Sequence, residues 1–448
     1  MDELDTLSYV QGAINDARHV SNMVAATVSS PTAPLAKRKA ALHMLERIHA
    51  LDPGPRTLMN IAVVNTKLGN YREAEEQLDA VLLANPEYLG AHHARGVLHL
   101  VMDKPRQAID DFKRCIDLAP DELNHRLDLS MALLQAGLWA DGFDMYETRK
   151  QINPERTLKG VAPWKGDPDP YGLHLYVWAE QGIGDTFQFS RYLPWACSRA
   201  KRVTFAVPYT LLDIFEPWTA YLPNLEVTAF SGYVPETVNA ETSLMSLAHW
   251  SGTAFSSDVP QDPGYISVWA QQRFLTGKHC PLVRQGPMLK AGLVWACNPG
   301  SAHSAERSVP FEDMLTLIKL PQFEFYGLQV GERAADITAH QAQTFVTDLS
   351  PWILDDWSRT VTCIQQMDVV ISTDTSVAHL AALMNKPTYM LLARRDWWRW
   401  GSDVTTPWYP TMNIARPRKP FVWDDALDQV TGWLSQGCIA SQPFMKAA

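Results

Sequence analysis

Four loops of this sequence combine glycine, hydroxyl and charged side chains in patterns that suit phosphate binding and acid–base chemistry. The first loop, EQGIGDT at 180–186, has Gly182 and Gly184, which allow a ligand to approach the backbone closely, followed at once by Asp185. A carboxylate at that point can accept a proton as a general base, or it can cap the helix that follows. The residues themselves leave both roles of Asp185 open.

The second loop, at 298–310, is long and polar. Asn298 stands at its start, and Pro310 is well placed as the first residue of a helix. Arg307 lies within the loop, where its guanidinium suits an anion such as a phosphate. A lone arginine in a loop is also commonly solvated, so both interpretations stand.

The third loop, STDTSVAH at 372–379, places hydroxyl groups on the first turn of a predicted helix. Free N–H groups at a helix start, with the hydroxyls of Thr375 and Ser376 after Asp374, form a cradle for a diphosphate. His379 lies four residues after Thr375 and therefore on the same helical face. A histidine in a helix is otherwise commonly a core or capping residue.

The fourth loop, at 394–408, holds three arginines and four tryptophans. Such a concentration suits either stacking against a ligand or packing between two lobes.

The elements that must position these loops are short runs of β-branched and aromatic residues that alternate with helical stretches. The runs lie at 173–179, 203–207, 225–230, 291–297, 323–330, 368–372 and 387–392. This alternation predicts parallel sheets covered by helices, and its restart near 291 predicts two successive α/β units. Ligands bind at the carboxyl ends of strands in such sheets, which is where the loops lie.

Upstream of these units, three columns of similar residues recur every 34 positions. The columns are small residues at Ala74, Ala108 and Gly142, large apolar residues at Leu78, Phe112 and Tyr146, and turn residues at Gly69, Asp103 and Gly137. This period predicts tetratricopeptide helix pairs over roughly 36–150. The concave surface of such a stack holds an extended peptide, or it packs against the next domain or a second subunit.

The predicted fold class is therefore α plus α/β, with helical repeats before two Rossmann-like lobes. We place the repeat domain at 1–150, a proline- and glycine-rich linker without regular elements at 151–172, the first lobe at 173–285 and the second at 286–448. All 16 tryptophans lie at or after Trp139, which marks a change of composition between the repeats and the lobes.

Composition narrows the class of protein further. The 448 residues include 39 basic and 49 acidic side chains, a net charge of -10, which argues against a nucleic-acid partner. The six cysteines are scattered without a CxxC pair, so we expect neither disulfides nor a metal site, and we expect a cytoplasmic location. An acidic start and the lack of a long apolar stretch argue against secretion and against a transmembrane segment.

Several stretches together resemble bacterial tetratricopeptide-repeat glycosyltransferases related to glycosyltransferase family 9, the heptosyltransferases. The stretches are WAEQGIGDTFQFSRYLP at 178–194, SLMSL at 243–247, GLVWACNPG at 292–300, STDTSVAHLAALMNKP at 372–387, DWWRW at 396–400 and TPWYP at 406–410. The resemblance covers about 36–434, and the layout is also similar to that of flagellin glycosyltransferases and protein O-GlcNAc transferases. It implies a GT-B fold, with the acceptor mainly on the first lobe, the nucleotide sugar mainly on the second, and a last helix at 424–434 that crosses back to the first lobe.

The resemblance also implies roles for individual residues. Asp185 corresponds to the general base, Arg307 to a basic residue near the donor phosphates, and Gln329 to a position that contacts the nucleotide base. It also implies that Asp374, Thr375 and His379 lie around the donor phosphates. From the chemistry of their loops, Gly182, Gly184, Asn298 and Ser376 are expected to bind the donor as well. Heptosyltransferases usually have lysine where Arg307 stands and lack the repeats, so their lipopolysaccharide acceptor is not carried over.

We therefore predict an inverting, metal-independent glycosyltransferase that moves a sugar from a nucleotide-sugar donor to a Ser or Thr hydroxyl of a protein acceptor. The acceptor, such as flagellin, would be recruited by the repeat groove. No cofactor besides the donor is expected. The sequence does not decide which base the donor nucleotide carries or whether the protein forms a homo-oligomer. The alternative is a catalytically inactive GT-B and repeat scaffold that binds a partner protein or a nucleotide. A Rossmann oxidoreductase is disfavoured because neither unit has a complete GxGxxG followed by an acidic residue.

Overall fold

The computed structural model of the chain shows a helical repeat domain followed by two α/β lobes. The structure describes residues 35–152, 158, 160–230, 234–301, 303–354, 356–393, 398–401 and 403–436. Residues 1–34 of the predicted repeat domain and 394–397 of the fourth loop therefore lie outside the described residues. Within the described part of the chain, no helix is both long and apolar enough to cross a lipid bilayer.

The repeat domain is a stack of paired helices, as the 34-residue period predicts. Its helices are α1 (Leu35–Leu51), α2 (Pro55–Leu68), α3 (Tyr71–Ala84), α4 (Leu89–Val101), α5 (Pro105–Leu118), α6 (Leu123–Gln135), α7 (Trp139–Tyr146) and the short α8 (Arg149–Ile152).

The columns of the repeat are its turns and its closest helix contacts. The turn residues have φ angles of 81°, 57° and 78° at Gly69, Asp103 and Gly137. This left-handed conformation is strained for most side chains, which explains the glycines. Ala74 and Ala108 are fully buried, and a Cβ at Gly142 would stand 2.7 Å from Cγ of Leu134, so small residues are needed where the paired helices touch.

The first lobe is built on a five-stranded parallel sheet in the spatial order β1-β5-β2-β3-β4. Its strands are β1 (Ala162–Pro163), β2 (Asp169–Trp178), β3 (Ala200–Val207), β4 (Leu225–Ala229) and β5 (Ala240–Ser243), with helices α9 (Ile183–Phe189), α10 (Leu193–Arg199), α11 (Leu212–Phe215), α12 (Ser246–Trp250) and α13 (Tyr265–Leu275). One face of the central strands, with Val177 and Phe205, lies in the main core. The other face, with Tyr176, Trp178 and Ala206, packs on Leu158, Val234 and Val238, which lie outside helices and strands.

The second lobe has a six-stranded parallel sheet in the order β11-β10-β9-β6-β7-β8. Its strands are β6 (Leu289–Val294), β7 (Phe323–Gly327), β8 (Val346–Asp348), β9 (Val369–Thr373), β10 (Thr388–Leu391) and β11 (Met412–Ala415). Its helices are α14 (Ser304–Arg307), α15 (Phe311–Met314), α16 (Asp336–Ala339), α17 (Ser350–Ile353), α18 (Trp357–Gln365), α19 (Ser376–Leu383) and α20 (Asp424–Ser435).

The strand order places the predicted loops where ligands bind in parallel sheets. The direction of connection reverses between β2 and β5 in the first sheet and between β6 and β9 in the second. Such reversal points open a crevice at the carboxyl ends of the strands. The loops after β2, β6 and β9 therefore meet in one space between the lobes, which is the GT-B arrangement that the sequence predicts.

The segment predicted as a linker without regular elements is more ordered than expected. Strand β1 lies inside it and pairs with β5, and β2 already begins at Asp169. Trp164 is buried, and its Nε1 donates to the carbonyl oxygen of Asp167 at 2.8 Å. Prolines and glycines mark the bends of this segment, but burial of Trp164 holds it against the first lobe.

The last helix also differs from the expectation. The sequence predicts that it crosses back to the first lobe, whereas α20 packs on β10, β11 and α15 of its own lobe. Its apolar residues Ala426, Leu427, Val430 and Leu434 are buried in that lobe's core. They lie on one helical face, and the second sheet offers the apolar surface that covers it.

One apolar core joins the last repeat to both lobes. The Trp139 ring of α7 stacks on Trp408 at 5.8 Å between centroids, and Phe143 meets Trp398 edge-on at 5.4 Å. Phe189 of the first lobe contacts the Trp408 ring at 5.3 Å. In the described part of the fourth loop, the tryptophans thus pack between domains, one of the two interpretations that the sequence leaves open.

Candidate active site

The carboxyl ends of the two sheets enclose one cleft. It consists of a cavity of about 870 Å³ beside the last repeat and a neighbouring cavity of about 620 Å³ that extends to Gln329. The two cavities share wall residues, namely Ile183, Cys297, Asn298, Thr375 and Ser376. Volumes of this size are typical of pockets for small ligands and cofactors.

Asp185 lies in this cleft and is both a helix cap and half of an ion pair. Its Oδ2 accepts a hydrogen bond from the backbone N–H of Gly182 at 2.9 Å, at the start of α9. Its Oδ1 lies 2.7 Å from a terminal nitrogen of Arg399, and each of the two side chains is 16% exposed. Capping therefore does not remove this carboxylate from the cleft, and its role as a general base, the alternative that the sequence leaves open, stays a prediction.

The two glycines of the first loop have different neighbours. Gly182 lies beside Asp185, where a Cβ would stand 3.2 Å from Oδ2. Gly184 packs against the opposite lobe, since a Cβ there would stand 2.8 Å from Cδ2 and 3.1 Å from Nε2 of His379. The sequence predicts close approach to a ligand, and the structure shows that Gly184 allows close approach of α9 to α19.

Arg307 of α14 points into the cleft and is held by Asp374. Its terminal nitrogen donates to the backbone carbonyl of Asp374 and, at 3.1 Å, to Oδ2 of the same residue. Burial opposes the charge, but Asp374, then Cys297 and Asp185, outweigh it and raise the pKa of Arg307. Arg307 is therefore a fixed cation beside the start of α19.

His379 is a buried, neutral imidazole. Burial lowers its pKa to about 3, in spite of the nearby Asp185. Its Nδ1 lies 2.8 Å from the hydroxyl of Tyr409, and its Nε2 lies 3.8 Å from Oδ1 of Asp374. When the phenol donates to Nδ1, the ring hydrogen is on Nε2, and His379 is then a neutral hydrogen-bond donor at that nitrogen.

The start of α19 presents hydroxyls and backbone N–H groups to the cleft. Thr375 is the capping residue and has no side-chain cap bond, while Ser376 is the first helical residue. The Oγ1 of Thr375 lies 2.9 Å from the hydroxyl of Ser372. Both Thr375 and Ser376 line the two cavities, and the binding of an anion there stays a prediction.

Asn298 and Gln329 lie at the walls of the cleft but are engaged with the backbone. Oδ1 of Asn298 accepts from the N–H of Gly300 at 2.9 Å. Oε1 of Gln329 accepts from the N–H groups of Trp295 and Ala296 at 3.2 and 2.8 Å, and its Nε2 donates to the carbonyl of Val330. The side chain of Gln329 thus shapes the loop after β6, and its contact with a base stays a prediction.

The sequence overlooked Arg399 as a site residue, although it lies in the arginine- and tryptophan-rich loop. Besides Asp185, it donates to Oε1 of Gln181 at 3.3 Å. Gln181 has a φ of 62° and donates through Nε2 to the hydroxyl of Tyr146 in the last repeat. Left-handed backbone at a non-glycine residue stores strain and is common at functional sites.

The sequence also missed the ion pair that docks the repeats onto the first lobe. Nε and a terminal nitrogen of Arg149 bind the two oxygens of Glu180 at 2.8 and 2.9 Å. The same guanidinium donates to the hydroxyls of Ser243 and Ser246 at 2.9 and 2.8 Å. Arg149 therefore joins the repeats to the ends of β2 and β5, directly beside the cleft.

A second ion pair ties the first described repeat helix to the loop that carries Arg307. Arg38 of α1 is fully buried and pairs with Glu306, the residue before Arg307. At the turn after α2, a Cβ on Gly69 would stand 2.7 Å from Cδ of Pro420, so the second lobe also approaches the repeats there. The repeats thus contact both lobes at the walls of the cleft.

The inner face of the repeats is partly covered by the second lobe. A cavity of about 180 Å³ remains between them. Its walls include Leu100, Met131 and Gln135 from the repeats and His303, Glu306 and Trp398 from the second lobe. The sequence leaves open whether this surface binds a peptide or packs against the following domain or a second subunit. For these residues the structure shows packing against the following domain.

Comparisons with known proteins give one related sequence and distant structural similarities. No known family model matches the chain. The sequence is 24% identical over 430 residues to Protein FlbA of Caulobacter vibrioides, which covers 88% of this chain and 70% of FlbA.

Among solved structures, a mutant O-GlcNAc transferase of Thermobaculum terrenum is similar with a TM-score of 0.32 and 12% identity, covering 87% of this chain and 84% of that one. MamA of Desulfovibrio magneticus is similar with a TM-score of 0.27 and 18% identity, covering 32% and 77%. These low values transfer no activity to this chain.

Proposed function

We propose that this protein is an inverting glycosyltransferase that moves a sugar from a nucleotide-sugar donor to a Ser or Thr hydroxyl of a protein acceptor. The observation that carries the proposal is the meeting of Asp185, Arg307 and the start of α19 in one cleft between two parallel-sheet lobes. A carboxylate on one side and a fixed cation with helix N–H groups on the other are what transfer of a sugar from a phosphate requires.

The donor side is the second lobe. The diphosphate would lie at the start of α19, where Ser376 and the helix N–H groups donate hydrogen bonds and Arg307 neutralises charge. The cavity of about 620 Å³ that leads away towards Gln329 gives room for a nucleoside. When the bond between the anomeric carbon and the phosphate oxygen breaks, the added charge on the leaving diphosphate is stabilised by these same donors, and His379 contributes as a neutral donor.

The acceptor side is the first lobe with the end of the repeats. The acceptor oxygen would attack the anomeric carbon from the face opposite the diphosphate, which inverts its configuration, while its proton passes to Asp185. Arg399 orients that carboxylate through the 2.7 Å ion pair. General base catalysis of this kind contributes roughly 10² to 10⁴-fold in rate.

The protein acceptor is proposed to enter at the end of the repeat stack. Leu127, Met131 and Lys150 of the repeats line the same cavity as Asp185. Since the second lobe covers part of the inner repeat face, the hydroxyl-bearing segment would reach the cleft past these residues.

The donor class can be tested by thermal unfolding of the purified protein with UDP-, GDP-, ADP- and CMP-sugars. A ligand at a hundredfold excess over its dissociation constant stabilises the folded state by about 2.7 kcal/mol. We expect one nucleotide to raise the unfolding temperature, Arg307→Ala to abolish the shift, and Arg307→Lys to retain part of it. No shift with any nucleotide sugar would contradict the donor assignment.

Catalysis is separated from binding by Asp185→Asn. We expect this variant to keep the donor-induced shift but to lose sugar transfer, measured as a mass increase of the acceptor protein or as released nucleotide. One observation favours the alternative of an inactive scaffold: both oxygens of Asp185 are already engaged, by Gly182 and Arg399. Donor binding without hydrolysis or transfer in the wild type, across candidate acceptors, would decide for that alternative.

Independence of a metal ion at the cleft is also proposed, because Arg307 and the helix start can neutralise the leaving group. We expect transfer to persist after chelation. A requirement for added Mg²⁺ or Mn²⁺ would refute this part of the proposal.

The acceptor route is tested by reversing charge at the cleft mouth. Lys150→Glu should weaken protein glycosylation while leaving donor binding intact. Lys113→Glu, an exposed lysine on α5, is the matched control. If both variants lose transfer equally, or if neither loses it, the acceptor does not enter past Lys150.

A further inference from the structure

Stacking of the repeats brings two histidines and an aspartate together away from the cleft. His93 lies on α4, and His125 and Asp128 lie three residues apart on α6 of the next repeat. One ring nitrogen of each histidine and one carboxylate oxygen of Asp128 all lie within 4.8 Å of one another. The sequence predicts no metal site because its cysteines are scattered without a CxxC pair, but stacking of the repeats places these three residues side by side.

The cluster has the chemistry of a transition-metal site. Nε2 of His93 lies 3.1 Å from Oδ2 of Asp128, and the rings of His93 and His125 lie 5.7 Å apart. Two neutral imidazoles and a carboxylate are the ligands that Zn²⁺ and similar ions prefer. A carboxylate beside a histidine also favours one ring tautomer and orients the ring.

His125 brings an unsatisfied nitrogen to the cluster. Nδ1 of His125 is buried and has no hydrogen-bond partner among the described residues. A buried polar atom without a partner costs about 1–3 kcal/mol, so native structures rarely retain one without a reason. Coordination of a cation by His125 would explain why its ring is held at this position.

A second histidine–aspartate group in the same repeats provides a contrast. Asp111 contacts His99 at 3.0 Å, but it also accepts hydrogen bonds from Arg95 at 2.8 to 3.2 Å. The guanidinium therefore already supplies the positive charge at Asp111. Among the described residues, the side chain of Asp128 has His93 as its hydrogen-bond and ion-pair partner, so no arginine or lysine fills that role.

We propose that His93, His125 and Asp128 bind a divalent transition-metal ion, with Zn²⁺ favoured by the ligand set. Tetrahedral Zn²⁺ with bonds of about 2.1 Å holds its ligand atoms about 3.4 Å apart, so separations of up to 4.8 Å must shorten by up to about 1.4 Å. Side-chain rotation can supply this, since His93 and Asp128 are 42% and 32% exposed. Three protein ligands leave the fourth position to water.

The site would join successive repeats at their inner face. Asp128 also lines the cavity of about 180 Å³ between the repeats and the Glu306 loop. An ion coordinated by both α4 and α6 would link the two helices and so stiffen the surface against which the second lobe packs. This role is independent of sugar transfer, and its test does not depend on activity.

The test is metal binding by the untagged full-length protein after chelator treatment and dialysis. We expect one equivalent of Zn²⁺ in competition with a chromophoric chelator, and visible absorption typical of tetrahedral coordination when Co²⁺ is added instead. Loss of an outer-shell partner already weakens metal sites by about 10 to 100-fold, so His93→Gln, His125→Gln and Asp128→Asn should each weaken binding at least tenfold. His43→Gln, an exposed histidine on α1, should bind as the wild type does.

The outcomes are distinct. Equal Zn²⁺ binding in all four variants, or no binding by the folded wild type, overturns the proposal and leaves His93 and Asp128 as a hydrogen-bonded pair between repeats. Circular dichroism checks that each variant folds. If His125→Gln does not fold, the test depends on His93→Gln and Asp128→Asn, whose side chains are partly exposed.

Discussion

Gly184 offers the sharpest test of how the two lobes close. Its substitution by alanine would add a Cβ at 2.8 Å from Cδ2 and 3.1 Å from Nε2 of His379, well inside the 3.5–4.0 Å of an ordinary contact. Overpacking of this kind costs about 1–3 kcal/mol. Alanine in a helix is favoured over glycine by up to about 1 kcal/mol, and less in the first turn, so the net destabilisation should be roughly 1–2 kcal/mol.

The clash can be separated from helix propensity by a double-mutant cycle. In a His379→Ala background the ring is gone, so Gly184→Ala should become neutral or slightly stabilising. The coupling between the two positions is then expected to be about 1–3 kcal/mol. Gly432→Ala on α20 is the control for propensity, because nothing lies within 4 Å of a Cβ there.

Urea unfolding followed by tryptophan fluorescence provides the assay, since many of the 16 tryptophans are buried and their emission follows unfolding of the chain. We expect a lower midpoint for Gly184→Ala and an unchanged or higher one for Gly432→Ala. If Gly184→Ala destabilises equally with and without the His379 ring, the lobes do not meet at this glycine and the reasoning fails.

Three further predictions concern the repeats and the buried histidine. Arg149→Met leaves the buried Glu180 carboxylate without its bidentate partner, so urea unfolding should show a loss of about 3–5 kcal/mol, and a loss below 1 kcal/mol would contradict the docking role. Arg38→Met removes the anchor of the loop that carries Arg307, so donor affinity in a titration should fall about tenfold, equivalent to 1.4 kcal/mol; an unchanged affinity would show that the loop holds itself. Burial lowers the pKa of His379 to about 3 from an ordinary 6.5, so below pH 6.5 the unfolded chain binds a proton that the folded chain does not. Stability should therefore fall from pH 6.5 towards pH 3 by roughly 1.4 kcal/mol per pH unit from this group, and His379→Gln should reduce that slope in pH-dependent unfolding.

Local rules were enough for the repeat period, the parallel sheets and the site loops. Gly69, Asp103 and Gly137 recur every 34 residues because each repeat needs a left-handed turn at the same place. Asp185, Arg307 and Thr375 were found because each follows a strand, and the carboxyl ends of parallel strands lie at one edge of a sheet. Such signals depend on residues that are close together in the chain, and their spacing can be read directly from the sequence.

Contacts between segments far apart in the chain could not be predicted from the sequence. Arg149 with Glu180, Arg38 with Glu306 and Asp185 with Arg399 join residues 31, 268 and 214 positions apart in the chain. No spacing rule links such pairs, and a lone arginine looks the same whether it is solvated or buried. The return path of α20 was misjudged for a similar reason, because its apolar face fits any sheet that is left uncovered.

The sequence by itself therefore determined the helical repeats, the two α/β lobes and the loops that bear the chemistry, because turn chemistry and apolar periodicity act over short distances. Tertiary structure alone decided that Asp185 is both cap and ion-pair partner, that His379 is neutral, and that the repeats contact both lobes at the walls of the cleft. It also brought His93 to His125 and Asp128. Each of these properties depends on burial and on distances between atoms that only folding sets.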